Sequence, residues 1–437
     1  MSQAASSAPG DAGAGGVTSG TMQRPPEQRA VVTGLGVKSP LGLTAGELWQ
    51  NVMAKESAVR VSDVLRSAAI GPTCSAACDA YEPEVYLTYR ELRKLDRAVH
   101  LAVGAASDAL EAAGIASIAA ERIGIICGVS LGSVATWAAQ ALTLEHRGAR
   151  RLSPHTVPRA MPSSAVGYLS MHFGIHGHGS AITTACAAGT SAIGEAARVI
   201  RDGRADAVLA GGCDALIDPL SIGLFAKMGA LTRCSDPAVA CRPFDARRDG
   251  FVMGEGAAFC VIESLASARR RRVAVLGEVL GYGTSLDGHH MTAPNPSGRG
   301  AIASMRTALA DACVSPGDVA SVNAHGTSTV LNDVAEARAV AAVMGSRRIP
   351  ITANKAGLGH SIAGAGAVEA VLALLSLRHA TVPPTANTTV VDPQIAGLVR
   401  VVTEAEPSAD GPILSNSFGF GGHNASILLG SVDGRDA

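Results

Sequence analysis

One cysteine and two histidines stand in surroundings that favour nucleophilic chemistry. Cys186 lies in Gly179-Ser-Ala-Ile-Thr-Thr-Ala-Cys-Ala-Ala-Gly189, where a strand-like run gives way to a helix-like run. His325 lies in Asn323-Ala-His-Gly-Thr-Ser-Thr329 and His360 in Lys355-Ala-Gly-Leu-Gly-His-Ser361. A thiol with distant histidines is the pattern of Cys-dependent acyl transfer. A free thiol is mostly protonated near neutral pH, so it needs activation. A helix N-terminus supplies partial positive charge and unpaired N–H groups, which favour a thiolate and an oxyanion. Taken alone, such a cysteine is more often a buried structural thiol.

Each histidine follows a strand-like run and sits among glycines. Two neutral imidazoles can each donate one N–H to a thioester carbonyl. Thr327, Ser328 and Thr329 offer hydroxyls to an amide-bearing ligand. Lys355 ends an apolar run, and Glu369 lies among Ala and Val on the helix that follows. An isolated buried charge is costly, so these two read as a pair, with an exposed strand-end lysine as the plain alternative. Asn416-Ser-Phe-Gly-Phe-Gly-Gly-His-Asn424 reads either as a glycine-hinged gate carrying Phe418 and Phe420 or as a tight turn pinned by core aromatics.

The elements that must hold these residues alternate between strand and helix. Strands are predicted at Ala30–Thr33, Ile123–Cys127, Ala207–Ala210, Val273–Leu276, Val319–Ala324, Ile349–Asn354, Val399–Thr403, Ile413–Leu414 and Ala425–Leu429. Capping-box patterns open helices at Thr44 and Thr88, the second running on toward Ala113. Further helices are predicted from Cys186 to Gly203 and over Arg299–Ala312, Val334–Val343 and Gly364–Leu377. This order predicts α/β layers with largely parallel sheets. The basic run Arg269–Arg272 divides the chain into halves at 29–268 and 269–437, without a strong residue-level repeat.

Composition narrows the class. The 437 residues are 47% hydrophobic, only 17% charged and 3% aromatic, with 50 glycines. Little charge suggests much buried surface, as in an oligomer. A net charge of −1 gives no global pull toward nucleic acid or an anionic membrane. No apolar run is long enough to span a bilayer. Residues 1–28, rich in Gly, Ala, Ser and Pro, read as a disordered tail without a signal-peptide core. The nine cysteines lack paired metal-ligand spacing, and their odd number fits a reducing cytoplasm. Gly34-Leu-Gly36 lacks the third glycine of a dinucleotide fingerprint, because position 39 is Ser39.

The chain resembles the β-ketoacyl synthases of the thiolase superfamily, from residue 29 to 430. The resemblance rests on motifs in order: Thr184-Ala-Cys-Ala187, Arg242-Pro-Phe-Asp245 with Arg248-Asp-Gly-Phe-Val252 and Gly254-Glu-Gly256, His325 through Thr329, Lys355 through His360, and Asn416 through Asn424. It is closest to the elongating branch that takes acyl chains from an acyl carrier protein. It implies a five-layer αβαβα fold with two similar halves, and a dimer with a copy or with a chain-length-factor-like subunit. It also implies that Cys186 is the acylated nucleophile. His325 and His360 would assist malonyl decarboxylation, with Lys355 and its partner Glu369 balancing charge. N–H groups of Cys186 and Phe420 would form the oxyanion hole. Thr327 and Thr329 would bind the phosphopantetheine arm, Phe420 would gate, and Leu131 and Phe418 would line the acyl pocket. Arg90, Arg93, Lys94, Arg150 and Arg151 match carrier-docking positions, with solvated helix charge as the plain alternative. No metal or redox cofactor is implied, since the substrate arrives on the carrier's phosphopantetheine.

The chain departs from the family pattern at four places. Ala356 stands where a hydroxyl residue is usual, Val330 where proline is common, and His423 where threonine is common. Thr156 stands where a bulky ring often closes the partner's pocket, so a longer acyl tunnel is expected. Three rivals remain at this level: a thiolase or initiating synthase, a non-catalytic chain-length factor, and an interaction protein on the same scaffold. A second histidine at 360 speaks against an initiator, and the retained Cys186 against a chain-length factor. The resemblance leaves open whether the pathway makes fatty acids or polyketides.

Overall fold

The computed structural model describes residues 24–71 and 73–432. The strands that carry the architecture are β1 (Ala30–Lys38), β2 (Ile123–Gly128), β3 (Gly179–Ile182), β4 (Ala207–Ala215) and β5 (Met253–Ser264) in the first half. The second half contributes β6 (Gly277–Leu286), β7 (Ser321–Asn323), β8 (Pro350–Thr352), β9 (Ile413–Gly419) and β10 (His423–Gly430). The main helices are α1 (Arg97–Ala113), α2 (Val134–Arg147), α3 (Ala188–Arg201), α4 (Arg299–Ala312), α5 (Val330–Met344) and α6 (Ala365–Arg378).

The two halves repeat one topology. The first sheet has the order β3-β2-β4-β5-β1 and the second β8-β7-β9-β10-β6. The senses match pair by pair: β2 is parallel to β3 and β4, and β7 to β8 and β9. β5 runs antiparallel to β4 and β1, as β10 does to β9 and β6. Each sheet is therefore mixed, not largely parallel. Among the described residues the sheets pair where Val31 and Val32 of β1 meet Glu278 and Gly277 of β6.

Helices α3 and α6 lie between the sheets, sharing one core with strand residues of both halves, among them Ile193, Ile200, Val371, Ile262 and Ile427. Helix α6 is buried from Ala365 to Ser376, which suits its apolar composition all round. Helix α1 covers the outer face of the first sheet and α4 that of the second. The result is the five-layer αβαβα, thiolase-like arrangement.

Two glycine pairs set the outer spacing. A Cβ on Gly36 would lie 1.9 Å from the Ala105 carbonyl oxygen, and one on Gly34 2.1 Å from that of Ala109. In the second half, a Cβ on Gly283 would lie 2.2 Å from Ser304 O, and one on Gly281 2.1 Å from Ala308 O. Gly34-Leu-Gly36 and Gly281-Tyr-Gly283 are thus the same device, a strand surface bare enough for a helix backbone to rest on it. They are a residue-level trace of the repeat.

Several sequence expectations need correction. The capping box at Thr88 opens only the short helix Tyr89–Leu92, and the long helix begins afresh at Arg97, capped by Asp96. Val273–Leu276 is not a strand; β6 begins at Gly277. Of the tail expected over 1–28, residues 1–23 lie outside the described residues. Residues 24–28 are docked: Arg24 bonds Leu280 O at 2.8 Å and Asp311 Oδ1 at 2.7 Å.

Candidate active site

Cys186, His325 and His360 each lie between a strand and the helix that follows it, while the two phenylalanines sit at a hairpin. The chain leaves β3, turns through Ala185 at φ 49°, and presents Cys186 just before α3. Positive φ on an alanine is strained, and such strain persists only where surrounding structure enforces it. His325 follows β7, and its loop carries Gly326 at φ 43° and Ser328 at φ 67°. His360 follows β8 through the short helix Lys355–Leu358. Phe418 and Phe420 come at the hairpin between β9 and β10, with Gly421 at φ 80° and Gly422 at φ 75°.

These junctions converge. One donor atom each of Cys186, His325 and His360 lie within 4.8 Å of one another. The two imidazoles meet edge to face with centroids 5.3 Å apart, and His360 also meets Phe251 at 5.1 Å. All three residues are buried yet line one cleft of about 240 Å³. Thr327, Thr329, Phe418 and Phe420 line the same cleft. The Thr327 and Thr329 hydroxyls are 2.9 Å apart.

Buried polar groups hold the histidines. Lys355 Nζ donates to the His325 carbonyl oxygen at 2.6 Å, lies 3.3 Å from His325 Nδ1 and is ion-paired with Glu369. An ammonium beside Nδ1 favours the tautomer whose proton sits on Nε2. Glu336 accepts the backbone N–H groups of His325 and Gly326, both at 2.8 Å. Asp333 accepts Thr327 N at 3.0 Å and Phe244 N at 2.8 Å, with Arg248 Nε 3.5 Å away. Asp214 accepts Ala363 N at 2.8 Å and so pins the turn after His360.

Burial dominates the electrostatics. It pushes the Cys186 thiol up to about 12, against a smaller downward pull from the Lys355 ammonium and the Phe420 and Cys186 N–H groups. It holds both histidines well below the usual imidazole range, with Lys355 adding to the effect, so both are neutral. It raises the carboxyls of Glu369, Glu336 and Asp214 to about 7 each. The helix terminus alone therefore does not produce a ready thiolate.

Phe420 stacks on Phe225 at 6.2 Å. Its loop is tied down by Gly421 N to Met291 O at 2.7 Å and Asp287 N to Gly422 O at 2.9 Å. Asn424 Nδ2 adds a bond to Asp287 Oδ1 at 2.9 Å.

Not every expected residue joins this cleft. Leu131 is 51% exposed and Thr156 is occupied with Ser153 O at 2.8 Å; neither lines it. Arg90, Arg93, Arg150 and Arg151 are exposed and Lys94 is half-buried, all on short surface turns outside the cleft. Val330 lines the cleft mouth, and His423 lines a separate groove with Glu195 and Tyr282. Asp333, Glu336, Asp214 and Asp287 were not singled out from sequence. The one available signal was the acid pair Asp333 and Glu336, on an Ala/Val-rich helix directly after the His325 loop.

A buried thiol facing two neutral imidazoles, on a duplicated five-layer fold, defines the thiolase-like condensing acyltransferases. Within that class the chain belongs to the β-ketoacyl synthases: the family's N-terminal domain matches residues 27–268 and its C-terminal domain residues 276–389. The chain is 37% identical over 410 residues to the 3-oxoacyl-[acyl-carrier-protein] synthase 2 of Synechocystis sp., covering 92% of this chain and 98% of that one. A β-ketoacyl synthase from Burkholderia phymatum superposes with TM-score 0.86 at 34% identity, covering 92% of this chain and 99% of that one. The ishigamide ketosynthase/chain length factor superposes with TM-score 0.86 at 32% identity and the same coverage. This chain is an acyltransferase of the elongating β-ketoacyl synthase type.

Proposed function

We propose that the enzyme extends a fatty-acid or polyketide chain by two carbons, using substrates held on the phosphopantetheine of an acyl carrier protein. The observation that carries this reading is the single cleft holding Cys186, His325 and His360. The carrier is named in the Synechocystis relative's own description.

Cys186 attacks the acyl thioester and the carrier thiol leaves, so the thiol proton ends on the departing sulfur. A neutral imidazole relays that proton, because the thiol is not ionised in advance. The N–H groups of Cys186 and Phe420 stabilise the tetrahedral oxyanion. Malonyl carrier then loses CO₂, and Nε2–H of His325 with an N–H of His360 stabilises the enolate oxygen. The enolate carbon attacks the acyl-Cys186 carbonyl, the C–S bond breaks as the tetrahedral intermediate collapses, and the departing sulfur takes up a proton relayed from solvent by an imidazole, which restores the thiol. Lys355 and Glu369 act through His325 as positioning residues. Thr327 and Thr329 bind the pantetheine amides, and Phe420 opens for entry. Nothing in this sequence of steps calls on a metal or redox cofactor.

The carrier docks on Arg90, Arg93, Lys94, Arg150 and Arg151. A second ketosynthase-fold chain covers α2 and the open edge of β3. Helix α2 has no buried residue yet carries Trp137, Leu142 and Leu144, each 46–56% exposed. That partner is a second copy or a chain-length-factor-like subunit, as in the ishigamide pair, and brings Leu131 and Thr156 to a shared acyl tunnel. Thr156 leaves that tunnel long. No described helix is long and apolar enough to cross a membrane, and the enzyme works in the cytoplasm without nucleic acid.

Intact-mass measurement tests the reading. Acyl carrier thioester should add one acyl group to the chain, and malonyl carrier should remove it as 3-ketoacyl product. Cys186→Ala should gain no adduct. A folded wild-type protein that never acylates would overturn the proposal.

A further inference from the structure

The same three side chains form a donor set with a second chemistry. One sulfur and two ring nitrogens lie within 4.8 Å of one another. Thiolate and imidazole donors select zinc-like divalent ions over magnesium or calcium. A tetrahedral zinc site places such donors about 3.4–3.6 Å apart, given Zn–S near 2.3 Å and Zn–N near 2.0–2.1 Å. Closing the trio by about 1 Å therefore completes three positions and leaves the fourth open.

An independent feature points the same way. Both ring nitrogens of His360 lack a hydrogen-bond partner, although the residue is only 1% exposed and lines the cleft. Buried imidazoles are ordinarily hydrogen-bonded, so an unpartnered one facing a cavity is suited to a ligand. Asp249 and Asp287 line the same cleft, which favours entry of a cation. The Lys355 ammonium opposes a cation, but Glu369 balances its charge. Because Lys355 occupies the Nδ1 side of His325, Nε2 is the atom left for the metal. Ligation there moves the ring proton to Nδ1, so Lys355 gives up that contact and keeps those to Glu369 and His325 O.

We propose that the unacylated centre binds one soft divalent ion of the Zn²⁺ class through Cys186 Sγ, His325 and His360, and that this ion holds the enzyme in an off state. The metal–sulfur bond forms as the thiol proton leaves to solvent, and nothing is oxidised or reduced. The ion is an inhibitor, not a cofactor. An acylated Cys186 has no thiolate to offer, so acyl loading and metal binding exclude each other. This last consequence rests on the acyl-transfer reading; the metal site itself does not.

The full chain, reduced and free of chelator, is titrated with Co²⁺ as a spectroscopic stand-in for Zn²⁺. One equivalent should bind with a thiolate-to-cobalt charge-transfer band. The band should be missing in Cys186→Ser and after alkylation of the wild type with iodoacetamide. His360→Gln should weaken binding by more than the roughly 10- to 100-fold that losing a supporting hydrogen bond costs a metal site. Zn²⁺ should displace Co²⁺ and stop condensation, EDTA should restore it, and enzyme acylated beforehand should resist. Far-UV circular dichroism establishes that each variant is folded, and the alkylated wild type decides the matter should Cys186→Ser misfold. A band that survives alkylation, cobalt bound without the band, or inhibition that EDTA does not reverse would sink the proposal. The titration uses no substrate, so its failure leaves the condensation reading standing. Failure of acylation likewise leaves the metal result standing.

Discussion

The Lys355–Glu369 pair can be dissected into a structural and a chemical part. Both side chains are about 1% exposed, and Lys355 Nζ has three neighbours: Glu369, His325 O and His325 Nδ1. Glu369→Leu leaves an uncompensated buried ammonium, which costs about 3–5 kcal/mol, or roughly two to four decades in the folded-to-unfolded ratio. Lys355→Met leaves a buried carboxyl already raised to about 7 by burial, and removes the Lys355 charge that pulls it down. Without Lys355 the folded-state pKa rises above that value, so from about 4.3 to beyond 7 the folded chain holds more protons and stability falls as pH rises. Lys355→Met should therefore be less destabilised near about pH 6 than near about pH 8. The double variant removes both charges and leaves two neutral acceptors, His325 O and His325 Nδ1, without their donor, at about 1–3 kcal/mol for each that stays unpaired. It should be more stable than Glu369→Leu alone. Condensation should still fall by about 10²–10⁴-fold, because nothing then holds the His325 tautomer. Urea denaturation followed by circular dichroism reads the first quantity, and single-turnover condensation reads the second. A double variant no more stable than Glu369→Leu would show the pair to be uncoupled. One with full activity would show that Lys355 does not position His325.

Alkylation of Cys186 by iodoacetamide should keep accelerating with pH beyond the range of an ordinary thiol, because burial holds its pKa up to about 12; a rate that levels off near neutrality would mean that the helix terminus outweighs burial. Charge reversal at Arg150 and Arg151 should raise the apparent KM for acyl carrier substrates and leave self-acylation by small thioesters unchanged. An equal loss with both substrates would remove these residues from docking. Gly36→Ala and Gly283→Ala should each cost about 1–3 kcal/mol in urea denaturation, since the new methyl meets helix backbone that cannot give; unchanged midpoints would mean that the outer helices are not seated as described.

What sequence reveals here follows physical range. Helix Arg299–Ala312 is legible because its apolar period and its boundaries are local. The Lys355–Glu369 pair is legible because charges inside apolar runs must find each other. Asp333, Glu336 and Asp214 are harder to read because most of their partners are backbone N–H groups delivered by topology; the acid pair Asp333 and Glu336 marks a helix but not what it holds. The capping box at Thr88 misleads since a cap dictates where a helix starts and not how far it runs; Asp96 restarts the chain a turn later. Strand sense is equally silent, because β5 and β10 are buried on both faces along nearly their whole length, a pattern that is the same whichever way they run. Leu131 is exposed and Thr156 half-buried, both outside the cleft, because nothing in their local sequence ties them to it.

The duplication explains why one half gives the thiol and the other the imidazoles. Helices α3 and α6 both begin Ala-Gly, and these turns are in contact: a Cβ on Gly189 would lie 2.5 Å from Ala363 O, and one on Gly366 2.2 Å from Thr190 Oγ1. Counting back from the two starts makes Ala363 the counterpart of Cys186. The repeat thus brings two equivalent strand-to-helix turns against each other, each built of small residues. A thiol in both would place two nucleophiles at one seam with no proton relay between them. With Cys186 kept in one turn and His360 placed three residues before Ala363 in the other, the same contact becomes a nucleophile facing its relay. His325 joins from β7, the strand beside β8, so both imidazoles approach from the second half while α3 presents sulfur from the first. The close seating of Gly189 on Ala363 therefore governs the reach between sulfur and imidazole, which makes the middle helices part of the catalytic geometry as well as of the core.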